Sequence, residues 1–211
     1  MPTAARVLLA TTNPAKAKRL AWVFDGLGLQ LTPLSGADGP GPAEEGQSFA
    51  QNARIKACYW SQCRSGLVAA SDGGLVIPAL GECWDALRTA RAAGAAASDR
   101  DRAEHLLALA APLVGPERRA FWREALVVAR EGAPIADWTV EGADALLLDR
   151  IPDSGLLPGF WAASLCLVPS RGKTLAEMSN EELSVDDTWA RLKRLVQARF
   201  GSAQADAKDV D

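Results

Sequence analysis

The first residues that could do chemistry in this sequence form a polar segment near its start, Thr11-Thr12-Asn13-Pro14-Ala15-Lys16. The segment follows an apolar run, and Pro14 suits the first turn of a helix that Asn13 or Thr12 would cap. Backbone N–H groups at the start of a helix attract phosphate, and a nearby lysine adds a point charge. The segment therefore predicts an anion site, although a polar turn with a solvated lysine would have the same sequence.

A second group of polar residues surrounds the start of another predicted helix. Glu44 lies in a loop that leads to Ser48, which begins the capping-box pattern Ser48-Phe49-Ala50-Gln51. Asn52 and Lys56 follow at a spacing of four, which places them on one helix face. They could meet a ligand there, or they could simply be a solvated face behind an acidic loop.

A third group is Ser71-Asp72-Gly73-Gly74, which follows the apolar run Leu67-Val68-Ala69-Ala70. The run predicts a buried strand, and the Gly-rich segment predicts a turn at its end. Open α/β sheets bind ligands at the carboxyl ends of their strands, and Gly73 would let a substrate approach the backbone. Asp72 could hold magnesium or activate water. An ordinary Asp-Gly turn is the structural alternative.

Two further motifs point to other enzyme classes and are disfavoured. Gly172-Lys173-Thr174 lacks the earlier glycine of a phosphate-binding P-loop, since that position is Leu167, which leaves only a turn that offers Lys173 to an anion. Ser71 could be a hydrolase nucleophile, but Ala69 replaces the first glycine of that motif. Its only histidine partner, His105, falls on a predicted helix.

Composition limits the protein class. The chain has 211 residues, with 23 Lys and Arg against 26 Asp and Glu, so the net charge of -3 argues against nucleic-acid binding. No apolar stretch approaches the ~18 residues of a membrane span, and we expect a soluble, cytoplasmic protein. The cysteines show no CxxC spacing, which argues against zinc and favours reduced, mostly buried thiols. They are Cys58, Cys63, Cys83 and Cys166.

The elements that must position these residues alternate between strand and helix in the first half. Strands are predicted at 6–10, 29–34 and 67–70, with a strand or extended segment at 75–80, and helices at 15–24, 48–64, 83–93 and 99–113. Later strands at 120–129 and 135–140 read as a hairpin, and shorter ones are expected at 146–148 and 165–168. A last helix over 186–200 would bury Trp189, Leu192, Leu195 and Val196. We predict a single α/β domain over 1–200, with a mixed twisted sheet flanked by helices, and a polar, disordered tail over 201–211.

These motifs, in this order, resemble the inosine triphosphate pyrophosphatase family, which acts on non-canonical purine nucleoside triphosphates. The matching segments are LATTNPAK, AEEGQSFAQNARIKA, AASDGGL and VPSRGKT. The resemblance extends over roughly residues 6–200. It implies an elongated α/β fold with a cleft between two lobes, usually as a homodimer.

The resemblance also implies an activity, the magnesium-dependent cleavage of non-canonical purine nucleoside triphosphates to monophosphate and diphosphate. Lys16 and Lys56 would hold the triphosphate, Asp72 would activate water, and Glu44 and Asp72 would bind Mg²⁺. The remaining substrate contacts would be Thr11, Thr12, Asn13, Asn52, Gly73, Phe160 and Lys173.

The sequence departs from the family pattern at the base-binding end. Ser71 replaces one of two adjacent acids, and Ala163 stands where the family has an aspartate. Asp187-Thr188-Trp189 replaces a Ser-His-Arg segment that reads the purine, so an acid and an aromatic would face the substrate there. The alternative function is therefore a catalytically impaired relative that binds a nucleotide or a protein partner.

Overall fold

A computed structural model describes residues 5–91, 93–94, 96–179, 181–183 and 187–201. Strands and helices alternate early in the chain, as the sequence predicts, and shorter strands follow. The strands are β1 (Arg6–Leu9), β2 (Gln30–Pro33), β3 (Leu67–Val76), β4 (Arg119–Arg130), β5 (Ala133–Glu141), β6 (Ala145–Leu147), β7 (Cys166–Val168) and β8 (Lys173–Thr174). The α-helices are α1 (Pro14–Phe24), α2 (Phe49–Cys63), α3 (Asp99–Ala110) and α4 (Thr188–Phe200). Short 3₁₀ helices fall at Gly36–Asp38, Pro78–Cys83, Ala86–Arg91, Gly115–Arg118 and Trp161–Leu165.

The sheet is mixed, as the sequence predicts. Its eight strands have the order β2-β1-β3-β4-β6-β7-β8, and β5 pairs with β4. β1 is parallel to both β2 and β3, and Leu9 is in register with Pro33 and Ala69. β1 ends there, and Ala10 donates its N–H to the carbonyl of Ala69 at 2.8 Å. The turn that begins at Thr11 therefore starts where β3 continues toward Asp72.

The chain divides into two compact units. The first contains the residues up to Asp72, Glu124–Val140 and those from Thr188 on. Its core packs α1 and α4 on β1 and β3, and on the part of β4 that belongs to this unit. Its buried members are Val7, Leu9, Leu20, Val23, Phe24, Leu27, Leu67, Ala69, Leu126, Val128, Trp189, Leu192 and Val196. Each large apolar side chain buried there contributes about 1.5–3 kcal/mol of transfer free energy.

The second unit contains Gly73–Arg123 and Glu141–Asp187. Its core includes Leu75, Leu106, Trp161 and Leu165. Arg118 fastens the end of α3 to this unit, because its guanidinium donates to the carbonyls of Ala110 (2.8 Å), Leu113 (3.2 Å) and Leu147 (2.7 Å). A guanidinium has several donors in a fixed plane, which suits it to gather carbonyls that helix and strand ends leave unpaired.

The β4–β5 connection is a hairpin, as predicted, with a tighter turn than the expected 130–134 segment. Only Glu131 and Gly132 lie between the strands, and both have positive φ (52° and 81°). That conformation is the one that a two-residue hairpin turn requires. Ser61 on α2 accepts a hydrogen bond from the Gly132 N–H at 2.9 Å, which ties the hairpin to the helix.

The prediction of a turn at Ser71-Asp72-Gly73-Gly74 is wrong, because all four residues lie inside the continuous strand β3. The predicted helix over 83–93 is instead a pair of short 3₁₀ segments, and the helix predicted to reach 113 ends at Ala110. Leu195 on α4 is 39% exposed, so its predicted burial is also wrong. Strand pairing on both sides of β3 overrides the local turn preference of its two glycines.

Two cysteines also differ from expectation. All four thiols are free, but Cys63 and Cys83 are exposed and Cys58 is half-buried. Cys166 is buried, and desolvation raises the pKa of its thiol to about 12. No helix in the part of the chain that the structure describes is long and apolar enough to cross a membrane. The predicted polar tail lies outside the described residues from 202 on.

Candidate active site

Asp72 is the centre of a polar cluster in the first unit. It lies on β3, is 8% exposed, and both of its carboxylate oxygens have partners. Asn52 donates from Nδ2 to Oδ2 at 3.1 Å, and Lys56 Nζ lies 3.3 Å from Oδ1. A carboxylate with this support is held in one orientation, as a residue that must direct a water molecule requires.

Asn52 connects Asp72 to the loop that precedes α2. Its Oδ1 accepts the backbone N–H of Gly46 at 2.8 Å, and the side chain is 3% exposed. A Cβ at residue 46 would lie 2.6 Å from that oxygen, so only glycine fits there. Both ends of the Asn52 carboxamide are therefore bonded inside the protein. This arrangement fixes the orientation of the Asp72 carboxylate, and the substrate contact that the resemblance implies for Asn52 stays a prediction.

Lys56 lies four residues after Asn52 on α2 and joins two carboxylates. Its Nζ is 3.3 Å from Glu44 Oε2 and 3.3 Å from Asp72 Oδ1. The helix begins as the sequence predicts, because Ser48 Oγ accepts the Gln51 N–H at 3.2 Å. Gln51 Oε1 accepts from Gln47 at 2.6 Å, one residue earlier than a capping box requires. The cap fixes the helix start, so Glu44, Lys56 and Asp72 are brought together as predicted.

Lys16 has a different partner. Its Nζ lies 3.5 Å from Oε1 of Glu124, a β4 residue that is 1% exposed. Asn13 caps α1, and its Oδ1 accepts the N–H groups of Ala15 (2.9 Å) and Lys16 (3.3 Å). These two amide groups, which were expected to attract phosphate, are thus already bonded, so the predicted anion site would depend mainly on the lysine.

Side-chain alternation along the strands places the Asp72 cluster and the Lys16–Glu124 pair on opposite faces of the sheet. Leu67 and Ala69 face the core that α1 covers, so Ser71 shares their face and Asp72 points to the α2 side. Leu126 and Val128 face the same core as Ala69, which puts Glu124 on the α1 side. Both groups lie at one end of the sheet, beyond the last residue of β1. The convergence of Lys16 with Lys56 on one substrate stays a prediction.

The serine-hydrolase alternative gains no support. Ser71 is 2% exposed, and its Oγ has no hydrogen-bond partner among the described residues. His105 is exposed on α3 in the second unit. A nucleophile needs a base within hydrogen-bond reach.

The remaining residues that the resemblance implies as substrate contacts are divided between the two units. Thr11 is half-buried and accepts the N–H of Asn13 at 3.2 Å, while Thr12 is exposed. In the second unit, Gly73 lies on β3, Phe160 is half-buried before a 3₁₀ helix, and Ala163 is in that helix. Lys173 forms an ion pair with Glu182 at 2.7 Å.

Trp189 does not face a ligand, contrary to the expectation for the Asp187-Thr188-Trp189 segment. It is 5% exposed and belongs to the apolar core of the first unit. The segment therefore includes the start of a core-packing helix, and its aromatic residue stabilises the fold.

Glu124 is a buried charged residue that the sequence motifs do not single out. It is buried in β4, directly before the apolar run of residues 125–129, and its partner Lys16 is 108 positions away in the chain. The sequence signal that could identify this pair is the acid itself, because a carboxylate that is buried in a strand requires a partner.

Comparisons with known proteins agree with this architecture. The Ham1 family model matches residues 7–188. The solved HAM1 protein of Coxiella burnetii superposes with a TM-score of 0.78 at 23% identity, covering 92% of this chain and 98% of that chain. The Ham1 protein of Staphylococcus aureus gives 0.77 at 23% identity, covering 94% and 99%. These structures confirm the predicted α/β fold.

Relatives with assigned activities also match over most of their length. The dITP/XTP pyrophosphatase of Pectobacterium atrosepticum is 31% identical over 192 residues, which cover 90% of this chain and 95% of that protein. The dITP/XTP pyrophosphatase of Thermus thermophilus is 36% identical over 179 residues, which cover 84% of this chain and 83% of that protein.

Proposed function

Since this chain belongs to the Ham1 family, we propose that it hydrolyses non-canonical purine nucleoside triphosphates, such as dITP and XTP, to the monophosphate and diphosphate. The cluster around Asp72 is the observation that carries the proposal. A buried carboxylate with two fixed partners lies beside a lysine and a second carboxylate. The relatives named dITP/XTP pyrophosphatase support this choice of substrate.

Asp72 is the proposed base in this reaction. The oxygen of a water molecule attacks the α- or the β-phosphorus. The bond between that phosphorus and the oxygen that bridges the α- and β-phosphates then breaks. Asp72 accepts the proton that the water loses, and diphosphate and monophosphate separate. Asn52 keeps the carboxylate oriented, since positioning of a reacting group supplies a large part of catalysis.

The cations of the first unit are the proposed phosphate ligands. The side chain of Lys56 is 15% exposed and that of Lys16 is 22% exposed, so neither side chain is fully buried. A triphosphate that spans this end of the sheet would meet Lys16 on the α1 side and Lys56 on the α2 side. Fixed cations stabilise the charge that moves onto phosphate oxygens during the reaction.

The donor set of Glu44 and Asp72 fits Mg²⁺. Magnesium in phosphate-handling sites is commonly held by one or two carboxylates together with substrate phosphates and water. Among the described residues no group of three or more His, Cys, Asp or Glu side chains could hold a metal. Glu44 and Asp72 would hold the ion with the substrate, and it would neutralise charge on the phosphate oxygens when bound.

Diphosphate release from a panel of nucleoside triphosphates with magnesium tests the proposal. We expect dITP and XTP to be cleaved faster than dATP or dGTP by wild-type protein. Asp72→Asn should lower kcat at least about a hundredfold, the usual scale of a lost general base. Asp137→Asn is the matched control, because Asp137 is an exposed aspartate of the same unit, paired with Arg54.

No release above buffer, with a thermal shift on nucleotide addition, would identify the catalytically impaired binding protein instead. Unchanged turnover in Asp72→Asn would reject the assignment of the base. The homodimer that the resemblance implies is also part of the proposal, and light scattering after gel filtration measures it.

A further inference from the structure

Glu124 is a buried acid that the proposed chemistry does not use. It is 1% exposed, and its Oε1 lies 3.5 Å from Lys16 Nζ. A carboxylate in such a place requires a positive partner, because burial of an uncompensated charge is strongly unfavourable. Lys16 therefore faces an internal counter-ion.

Glu124 competes with a ligand anion for the same ammonium. A phosphate that approaches Lys16 is attracted by the ammonium and repelled by the carboxylate 3.5 Å from it. The repulsion grows in proportion to the negative charge of the ligand. It is screened weakly, because Glu124 lies in the protein interior.

The charge of a nucleoside triphosphate depends on its metal. A triphosphate that chelates a divalent cation carries two fewer negative charges than the free triphosphate. Glu124 consequently disfavours the free form more than the chelated form. A repulsive element of this kind raises specificity and lowers affinity for both forms.

We propose that Glu124 makes this site select metal-chelated nucleoside triphosphate over the metal-free anion, by acting as the counter-ion of Lys16. The inference rests on the proposed function, since it assumes that Lys16 contacts the polyphosphate. It assigns to Glu124 a role in substrate selection, separate from the base and from the Glu44–Asp72 pair.

Binding of the α,β-methylene analogue of dITP, with and without Mg²⁺, tests the inference by calorimetry. Wild-type protein should bind the magnesium complex more tightly than the free analogue. Glu124→Gln removes one negative charge and keeps the side-chain size. It should tighten binding of the free analogue by about tenfold and of the complex by less, so the ratio of the two Kd values falls.

Two further variants sharpen the measurement. Asp137→Asn removes a negative charge from the surface of the same unit, and it should leave the ratio at the wild-type value. Glu124→Asp keeps the charge on a shorter side chain, and it should retain most of the ratio. Circular dichroism and thermal melting establish that each variant is folded.

The outcomes are distinct. An unchanged ratio in Glu124→Gln, or weaker binding of both forms, would overturn the inference, and the second result would make Glu124 a residue that only holds Lys16 in place. Diphosphate release by wild-type protein decides the proposed function separately. If wild-type protein cleaves dITP and Glu124→Gln keeps the wild-type ratio of Kd values, the proposed role of Glu124 is overturned and the proposed function stands.

Discussion

Asn52 and Asp72 are joined by a buried hydrogen bond, in which Asn52 Nδ2 donates to Asp72 Oδ2 at 3.1 Å. The bond crosses from helix α2 to strand β3. It sets the orientation of the carboxylate independently of any ligand, and it makes the proposed base sensitive to changes that leave its own side chain intact.

Asn52→Ala tests this orientation through kinetics. We expect kcat for dITP to fall by about ten- to a hundredfold with a smaller change in KM, because the carboxylate loses its fixed direction while the lysines remain. Arg54→Ala, at an exposed position of the same helix, is the control. A rise in KM alone would instead assign Asn52 to substrate binding.

Gly46→Ala tests the same bond from the loop side. The new Cβ would lie 2.6 Å from Asn52 Oδ1, so the amide must move and its bond to Asp72 should be weakened. We expect a loss of about 1–3 kcal/mol in the free energy of unfolding, measured by urea titration, together with reduced activity. Gly36→Ala meets no atom within 4 Å and should behave as wild type. Wild-type activity in Gly46→Ala would show that the loop tolerates the displacement.

The two faces of α4 give a prediction about stability. Trp189 is 5% exposed in the core, while Leu195 is 39% exposed. Trp189→Ala should lower the free energy of unfolding by about 3–5 kcal/mol, since it leaves a cavity. Leu195→Ala should change it by less than about 0.5 kcal/mol. Equal losses in urea titrations would contradict this assignment of the buried face.

The Lys173–Glu182 pair gives a prediction about acid stability. The hydrogen bond from Lys173, followed by the backbone N–H of Ser179, lowers the pKa of Glu182 from 4.5 to about 2. A depressed carboxyl pKa stabilises the folded state above the unfolded pKa of about 4.5, and this contribution is lost as the pH falls toward 2. Glu182→Gln should therefore show a smaller drop in Tm than wild type between pH 5 and pH 2. Lys173→Met should reduce the drop too, and a drop equal to that of wild type in both variants would contradict the pair's role.

The order of the early elements follows from local sequence signals. Asn13-Pro14 predicts the start of α1, and Ser48 predicts the start of α2, because caps act through neighbouring backbone groups. The four-residue spacing of Asn52 and Lys56 likewise predicts that they share a helix face, and both side chains contact Asp72. These features depend on residues within one or two helical turns.

The errors concern features that depend on distant neighbours. Gly73-Gly74 has the composition of a turn, yet β3 continues through it because pairing within the sheet fixes the backbone. The pairing of Glu124 with Lys16 could not be deduced, since the two residues are 108 positions apart in the sequence. The sequence predicts Trp189 at the substrate, but the packing of α4 on α1 places it in the core.

The cap of α1 has a consequence for how an anion would be held. Because the Asn13 side chain occupies the amide protons of Ala15 and Lys16, the helix start offers electrostatic attraction without directional backbone donors. Attraction of that kind is diffuse and is attenuated by dissolved ions. The contribution of this helix to nucleotide affinity should therefore decline as sodium chloride is added, whichever nucleobase the ligand carries.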